Sequence, residues 1–175
     1  PTMHPDLVNE LTHFAKENKI FTTIETEGSH FLETDYPIDL LSISPKFSNS
    51  IPQIGIETPQ GSIVDERMVK QHNKFRLNYE KIAQSINYHR DYHIKPVIDK
   101  DLLIIQEVEE FISKLSQELL HSAKYLNAWV EFDQEDIHKI IKSKVWMMPA
   151  GATREQLIES YGPVMDMVRE RGWRF

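Results

Sequence analysis

Three short clusters in this chain have residue types and spacing able to do chemistry, and each follows an apolar run. Glu25, Thr26, Gly28 and Ser29 end the first. A carboxylate at a strand's end accepts both hydroxyls of a ribose, and a glycine lets the backbone turn close to a ligand. A polar turn that only stops a strand has the same appearance. Ser44-Pro45-Lys46 ends the second run. There proline fixes a turn that presents a hydroxyl and an ammonium, suited to a carboxylate or phosphate, unless these are simply solvent-facing turn residues. Met147-Met148-Pro149-Ala150-Gly151 ends the third. Its apolar tip is either a slot for a flat ring or a buried strand leaving the core. Polar residues and turn formers after apolar strands are how α/β enzymes build a site at the carboxyl ends of a parallel sheet.

Other chemistry-bearing residues read as structural. His89 and His93 are four apart, so on a helix they would share a face and could ligate a metal. No third ligand stands near them, Arg90 would repel a cation, and a solvated histidine face is the expectation. Asp133, Glu135 and Asp136 suit a solvated helix start, where acids interact favourably with the helix dipole. No nucleophile elbow, phosphate loop or dinucleotide fingerprint occurs. There is also no cysteine, which excludes disulfides, thiolate metal sites and cysteine nucleophiles within the chain.

Composition sets the outer bounds. The 175 residues fit one domain spanning 1–175, with 40% hydrophobic and 27% charged side chains, the balance of a soluble globular protein. A formal net charge of -7 argues against a nucleic-acid surface, which needs clustered Lys and Arg. No apolar run approaches the roughly 20 residues that span a bilayer, so no membrane role is expected and a cytoplasmic location is the default. Composition sets no oligomeric state; a homodimer is one arrangement it allows.

The elements that must position these clusters follow from periodicity. Leu7, Val8, Leu11, Phe14 and Ala15 predict an amphipathic helix over 5–17. Short apolar runs at 20–26 and 38–44 predict strands. Residues 47–75 are broken by Pro52, Gly55, Pro59 and Gly61 and show little periodicity, so 47–77 reads as a long inserted excursion. Tyr79, Ile82, Ala83 and Ile86 predict a helix, 94–98 a strand weakened by Pro96, and Ile104 to Leu115 another helix. A shorter helix holds Ile137, Ile140 and Ile141, and 144–148 is a strand. Thr153 with Gln156 forms a capping box for a last helix, kinked at Gly162-Pro163 and closed by Gly172. Alternating short apolar strands and helices predict parallel βα units. About four strands are too few for a closed eight-stranded barrel, so the expected fold is α/β, a partial (βα) barrel with parallel strands, incomplete at both ends. The chain opens at Pro1 on a helix start and closes on Trp173-Arg174-Phe175, which read as another strand. It is therefore expected to be an internal segment of a longer protein.

Taken in order, these segments resemble a known family. Pro1-Thr2-Met3-His4-Pro5-Asp6-Leu7-Val8 looks like the continuation of the Gly-Gly-Glu-Pro motif of radical S-adenosylmethionine enzymes. Residues 24–29, 40–46 with Ser48-Asn49-Ser50, and 145–151 with Thr153 and Gln156-Leu157 are similar to one branch, 7-carboxy-7-deazaguanine synthase. Glu170-Arg171-Gly172-Trp173-Arg174-Phe175 resembles the segment before that family's final strand.

The resemblance implies a carbon–nitrogen lyase that uses S-adenosylmethionine, a 4Fe–4S cluster on a three-cysteine loop, and magnesium. Its adenosyl radical abstracts hydrogen from 6-carboxytetrahydropterin, which contracts with loss of ammonia on the route to queuosine and related 7-deazapurines. By the same resemblance Pro1 would close the motif for the methionyl amine, and Glu25, with Thr26 beside it, would hold the ribose. Ser44 and Lys46 would contact the ribose or methionine part, and the backbone at Met148 and Pro149 the adenine. The resemblance places no catalytic residue and no metal ligand in this chain. Without cysteine the chain cannot hold the cluster, so it is expected to be inactive alone. Two other readings stay open: another radical S-adenosylmethionine protein of the activating type, or a non-catalytic module that binds a nucleoside or a protein partner.

Overall fold

The computed structural model describes residues 4–99, 103–126 and 133–175; Pro1 lies outside them. The first helix, α1 (Pro5–Glu17), starts with proline in its first turn, where the missing N–H costs nothing. Only Val8, Thr12 and Ala15 are buried. Leu7, Leu11 and Phe14 stay more than half exposed, so the apolar stripe is wider than the face that packs.

Parallel strands follow. β1 (Thr23–Thr26), β2 (Leu40–Ile43) and β3 (Tyr92–Ile94) form a three-stranded sheet in that order. β4 (Val97–Ile98) and β5 (Met148–Pro149) pair parallel in a second sheet. The two sheets share one run of pairing. Trp146 N–H donates to Ile94 C=O (2.8 Å), Met148 N–H to Pro96 C=O (3.0 Å) and Ala150 N–H to Ile98 C=O (2.7 Å). The interruption between β3 and β4 falls at Lys95-Pro96, where the proline has no N–H to give while its carbonyl still accepts. Arg174 bridges Trp146 in parallel, so the chain's last residues extend the pairing. No closed barrel forms among the described residues.

Helices cover one side of this layer. They are α3 (Tyr79–Tyr88), α4 (Leu103–Leu126), α5 (Gln134–Ser143) and α6 (Arg154–Arg171), while α2 (Glu66–Phe75) precedes them and adds no residue to the core. Leu41, Ile43, Ile94, Val145 and Met147 from the strands meet Ile82 and Ile86 of α3 and Val108, Phe111, Ile112 and Leu115 of α4. Phe111 is fully buried, its ring edge-on to Phe47 at 5.7 Å and tilted against Tyr79 at 5.5 Å. Burying each such side chain contributes about 1.5–3 kcal/mol. No helix among the described residues is long and apolar enough to cross a membrane.

Residues 47–75 are more ordered than their composition suggests. Phe47 and Val64 are buried anchors, Glu57 bridges Ile63 antiparallel, and Asp65 caps α2 by accepting from Met68 N–H at 2.8 Å. No residue of α2 is buried, which explains why hydrophobic periodicity does not reveal it.

Candidate functional site

Strand alternation sorts the layer's side chains onto two faces. Leu41, Ile43, Tyr92, Ile94, Pro96, Ile98, Val145 and Met147 are buried toward the helices. The opposite face carries Glu25, Ser42 and His93 in one register row, since Glu25 pairs with Ser42 and Ser42 with His93. One step on, Val97 pairs with Met148. Parallel sheets are normally covered on both faces and read as apolar throughout. This one keeps a polar face open, with Glu25 exposed, His93 and Lys95 half-buried, and Trp146 and Met148 exposed.

Glu25 and Lys95 form the centre of that face. Lys95 Nζ donates to Glu25 Oε1 at 2.5 Å, and the Ser42 hydroxyl donates to the same oxygen at 3.4 Å. The Lys95 ammonium, as hydrogen-bond donor and as charge, holds the Glu25 carboxyl below its usual range, so it remains an ionised acceptor. Ser44 donates its hydroxyl to Lys95 C=O at 3.1 Å. His93 Nε2 is buried with no hydrogen-bond partner among the described residues. Burial, and then the Lys95 charge, pushes its pKa down, leaving a neutral imidazole. Its ring lies 6.4 Å from that of Trp146, over which the Arg174 guanidinium sits at 5.2 Å.

The candidate residues therefore divide. Glu25, Ser44 and Met148 come to one face. Thr26 and Pro149 alternate away from it, opposite buried Ile43 and Ile98, and the Thr26 hydroxyl accepts from Gly28 N–H at 3.1 Å. Lys46 turns toward a separate cavity bordered by Glu27, His72 and Arg76. Gly28 serves packing: at φ 83°, an added Cβ would stand 2.6 Å from Ile82 Cγ1. Met147 is buried, so only Met148 of that pair can meet a ring. His89 and His93 share no helical face. His93 is in β3, while His89 ends α3, buried, its Nδ1 accepting from Ile38 N–H at 3.2 Å.

Lys95 was missed in the sequence because a lysine inside a short proline-broken strand looks like an edge residue. The run Lys95-Pro96 is the only local signal of it.

No family model matches the chain, and no solved structure matches it. The sequence is similar to the 7-carboxy-7-deazaguanine synthase of Halobacterium salinarum, 26% identical over 175 residues. That match takes in 100% of this chain and 58% of the relative. The kinship is distant. The chain spans less than two thirds of the length of the curated relative it matches.

Proposed function

We propose that this chain is the body of a radical S-adenosylmethionine 7-carboxy-7-deazaguanine synthase, a cytoplasmic lyase acting on 6-carboxytetrahydropterin. The observation that carries the reading is the uncovered polar face of a parallel layer, with Glu25, Ser44 and Met148 on it. In this reading the layer is part of an open (βα) barrel and the polar face is its interior.

The face suits S-adenosylmethionine. An ionised Glu25 accepts the two ribose hydroxyls, Lys95 offers a cation to the methionyl carboxylate, and exposed Met148 lies against the adenine. Ser44 has its hydroxyl proton on Lys95 C=O, leaving its oxygen as acceptor. When bound, the cofactor supplies the adenosyl group that abstracts hydrogen. The residues present do not fit the iron–sulfur cluster that such chemistry requires. The chain has no cysteine, and no three His, Asp or Glu side chains converge among the described residues. Magnesium finds no cluster of ligands there for the same reason. These residues bind and orient, and no bond-breaking step is assigned to them.

The test is turnover by the longest natural protein that contains this sequence, reconstituted anaerobically with iron and sulfide. Formation of 7-carboxy-7-deazaguanine from 6-carboxytetrahydropterin supports the reading. Cleavage of S-adenosylmethionine without that product points instead to an activating-type relative. Nucleoside binding with no cluster and no turnover points to a non-catalytic module.

A further inference from the structure

At the amino ends of β1 and β2 lies a cavity of about 410 Å3, in the range of small-ligand sites. Thr22 and Asp39, which line it, precede those strands, whereas Ser44 and Lys95 of the candidate site follow β2 and β3. Its charged lining is Lys16, Lys19, Arg90 and Asp39. Three cations against one carboxylate leave two positive charges there, in a chain whose net charge is -7.

The one carboxylate is engaged within the fold. Asp39 Oδ2 accepts from the Thr22 N–H and hydroxyl, both at 2.9 Å, and its Oδ1 accepts from Arg90 at 2.8 Å. That leaves Arg90 further guanidinium N–H groups to offer. Lys16 and Lys19 have no carboxylate at ion-pair distance among the described residues; Asp35, next to the lining residue Tyr36, is held by His13 at 2.7 Å. The Lys16 ammonium instead lies over the Tyr36 ring at 5.7 Å.

A helix C-terminus favours cations, so Lys16 and Lys19 at the end of α1 have a local reason to be there. That reason does not extend to the backbone of Lys19. At φ 56° it is the only non-glycine residue with positive φ among the described residues. It occupies the turn position where glycine is usual, with Lys19 N–H donating to Lys16 C=O and Ile20 N–H to Ala15 C=O. Nor does the dipole account for Arg90, which follows α3, or for Phe21, an aromatic 68% exposed at the same cavity. A carboxylate would neutralise only one of the two positive charges, whereas a phosphate monoester carries close to two negative charges at pH 7. An exposed ring such as Phe21 gains by covering a second ring. We propose that this cavity binds a ring-bearing phosphate monoester, with Lys16, Lys19 and Arg90 around the phosphate and the ring against Phe21. The site is separate from the face that carries Glu25 and does not rest on the reaction proposed above.

The experiment titrates phenyl phosphate, benzoate, inorganic phosphate and AMP into the protein by calorimetry. Phenyl phosphate should bind about tenfold more tightly than benzoate, which lacks the second charge, and than inorganic phosphate, which lacks the ring. Lys19→Gly should weaken phenyl phosphate about fivefold, as for one exposed charge. The same variant should be at least as resistant to urea as wild type, because glycine accepts φ 56° without strain, so lost binding cannot be lost folding. Phe21→Ala should reduce phenyl phosphate to the affinity of inorganic phosphate and leave the latter unchanged. AMP must weaken in Lys19→Gly as well, which distinguishes this site from binding of its adenosine part at Glu25. AMP tighter than phenyl phosphate would support the proposal with a nucleotide as the ligand, and the reverse would support it with a simple aryl phosphate. No preference over benzoate, or a Lys19→Gly variant that binds like wild type, overturns the proposal.

Discussion

His89 is the residue at which environment most changes chemistry. Burial pushes its pKa from 6.5 to about 4, so the folded protein holds it neutral while accepting from Ile38 N–H. Between those values the unfolded chain binds a proton that the folded chain does not. Its contribution is therefore complete above pH 6.5 and is lost as pH falls toward 4, up to about 3 kcal/mol. Urea midpoints at pH 7.5, 6.0 and 4.5 should fall less steeply for His89→Gln than for wild type; equal slopes would contradict this. His72 and His93 are pushed the same way and act in both proteins, so the comparison isolates His89. Gly28 supports a second residue-scale prediction. Gly28→Ala should cost about 2–4 kcal/mol, combining a left-handed φ with a clash against Ile82, as measured by chemical denaturation. At this scale the sequence was a fair guide to which residues are unusual and a poor one to why. Gly28 read as room for a ligand and proves to be room for a helix, because sequence does not say what approaches a turn.

Elements with an apolar face were legible, and those without one were not. Helix α6 begins where Thr153 and Gln156 form both bonds of a capping box, as their spacing requires, and ends at Gly172 in the left-handed conformation. Thr153→Ala should cost about 1 kcal/mol in thermal or urea denaturation, and no loss would mean that the cap is idle. Helix α2 was hidden because none of its residues is fully buried; only Asp65, three residues before Met68, marks its start. The strand over 94–98 was legible as one element and is two, since Pro96 removes a single ladder donor. Helix α4 was read from its core stripe, and Phe111→Ala should cost about 3–5 kcal/mol because it empties the space between Phe47 and Tyr79. A smaller loss would show that the neighbours collapse into the cavity.

Across the whole molecule, a parallel layer has helices on one side and a polar, partly exposed face on the other. The parallel α/β character follows from short apolar strands alternating with helices. The candidate site's position follows from Glu25 and Met148 lying within the short strands β1 and β5 and Ser44 just after β2. Their joint placement depends on register, which no local pattern contains: a shift of one residue between β4 and β5 would send Met148 to the core. Lys95, which ties Glu25 to Ser44, became visible only through that register. Nuclear magnetic resonance of the protein titrated with S-adenosylmethionine tests this arrangement most directly. The account predicts that the shifted signals cluster at Glu25, Ser44, Lys95 and the Met148 methyl, and that Glu25→Gln abolishes them. Shifts confined to other surfaces, or none at millimolar cofactor, would contradict it.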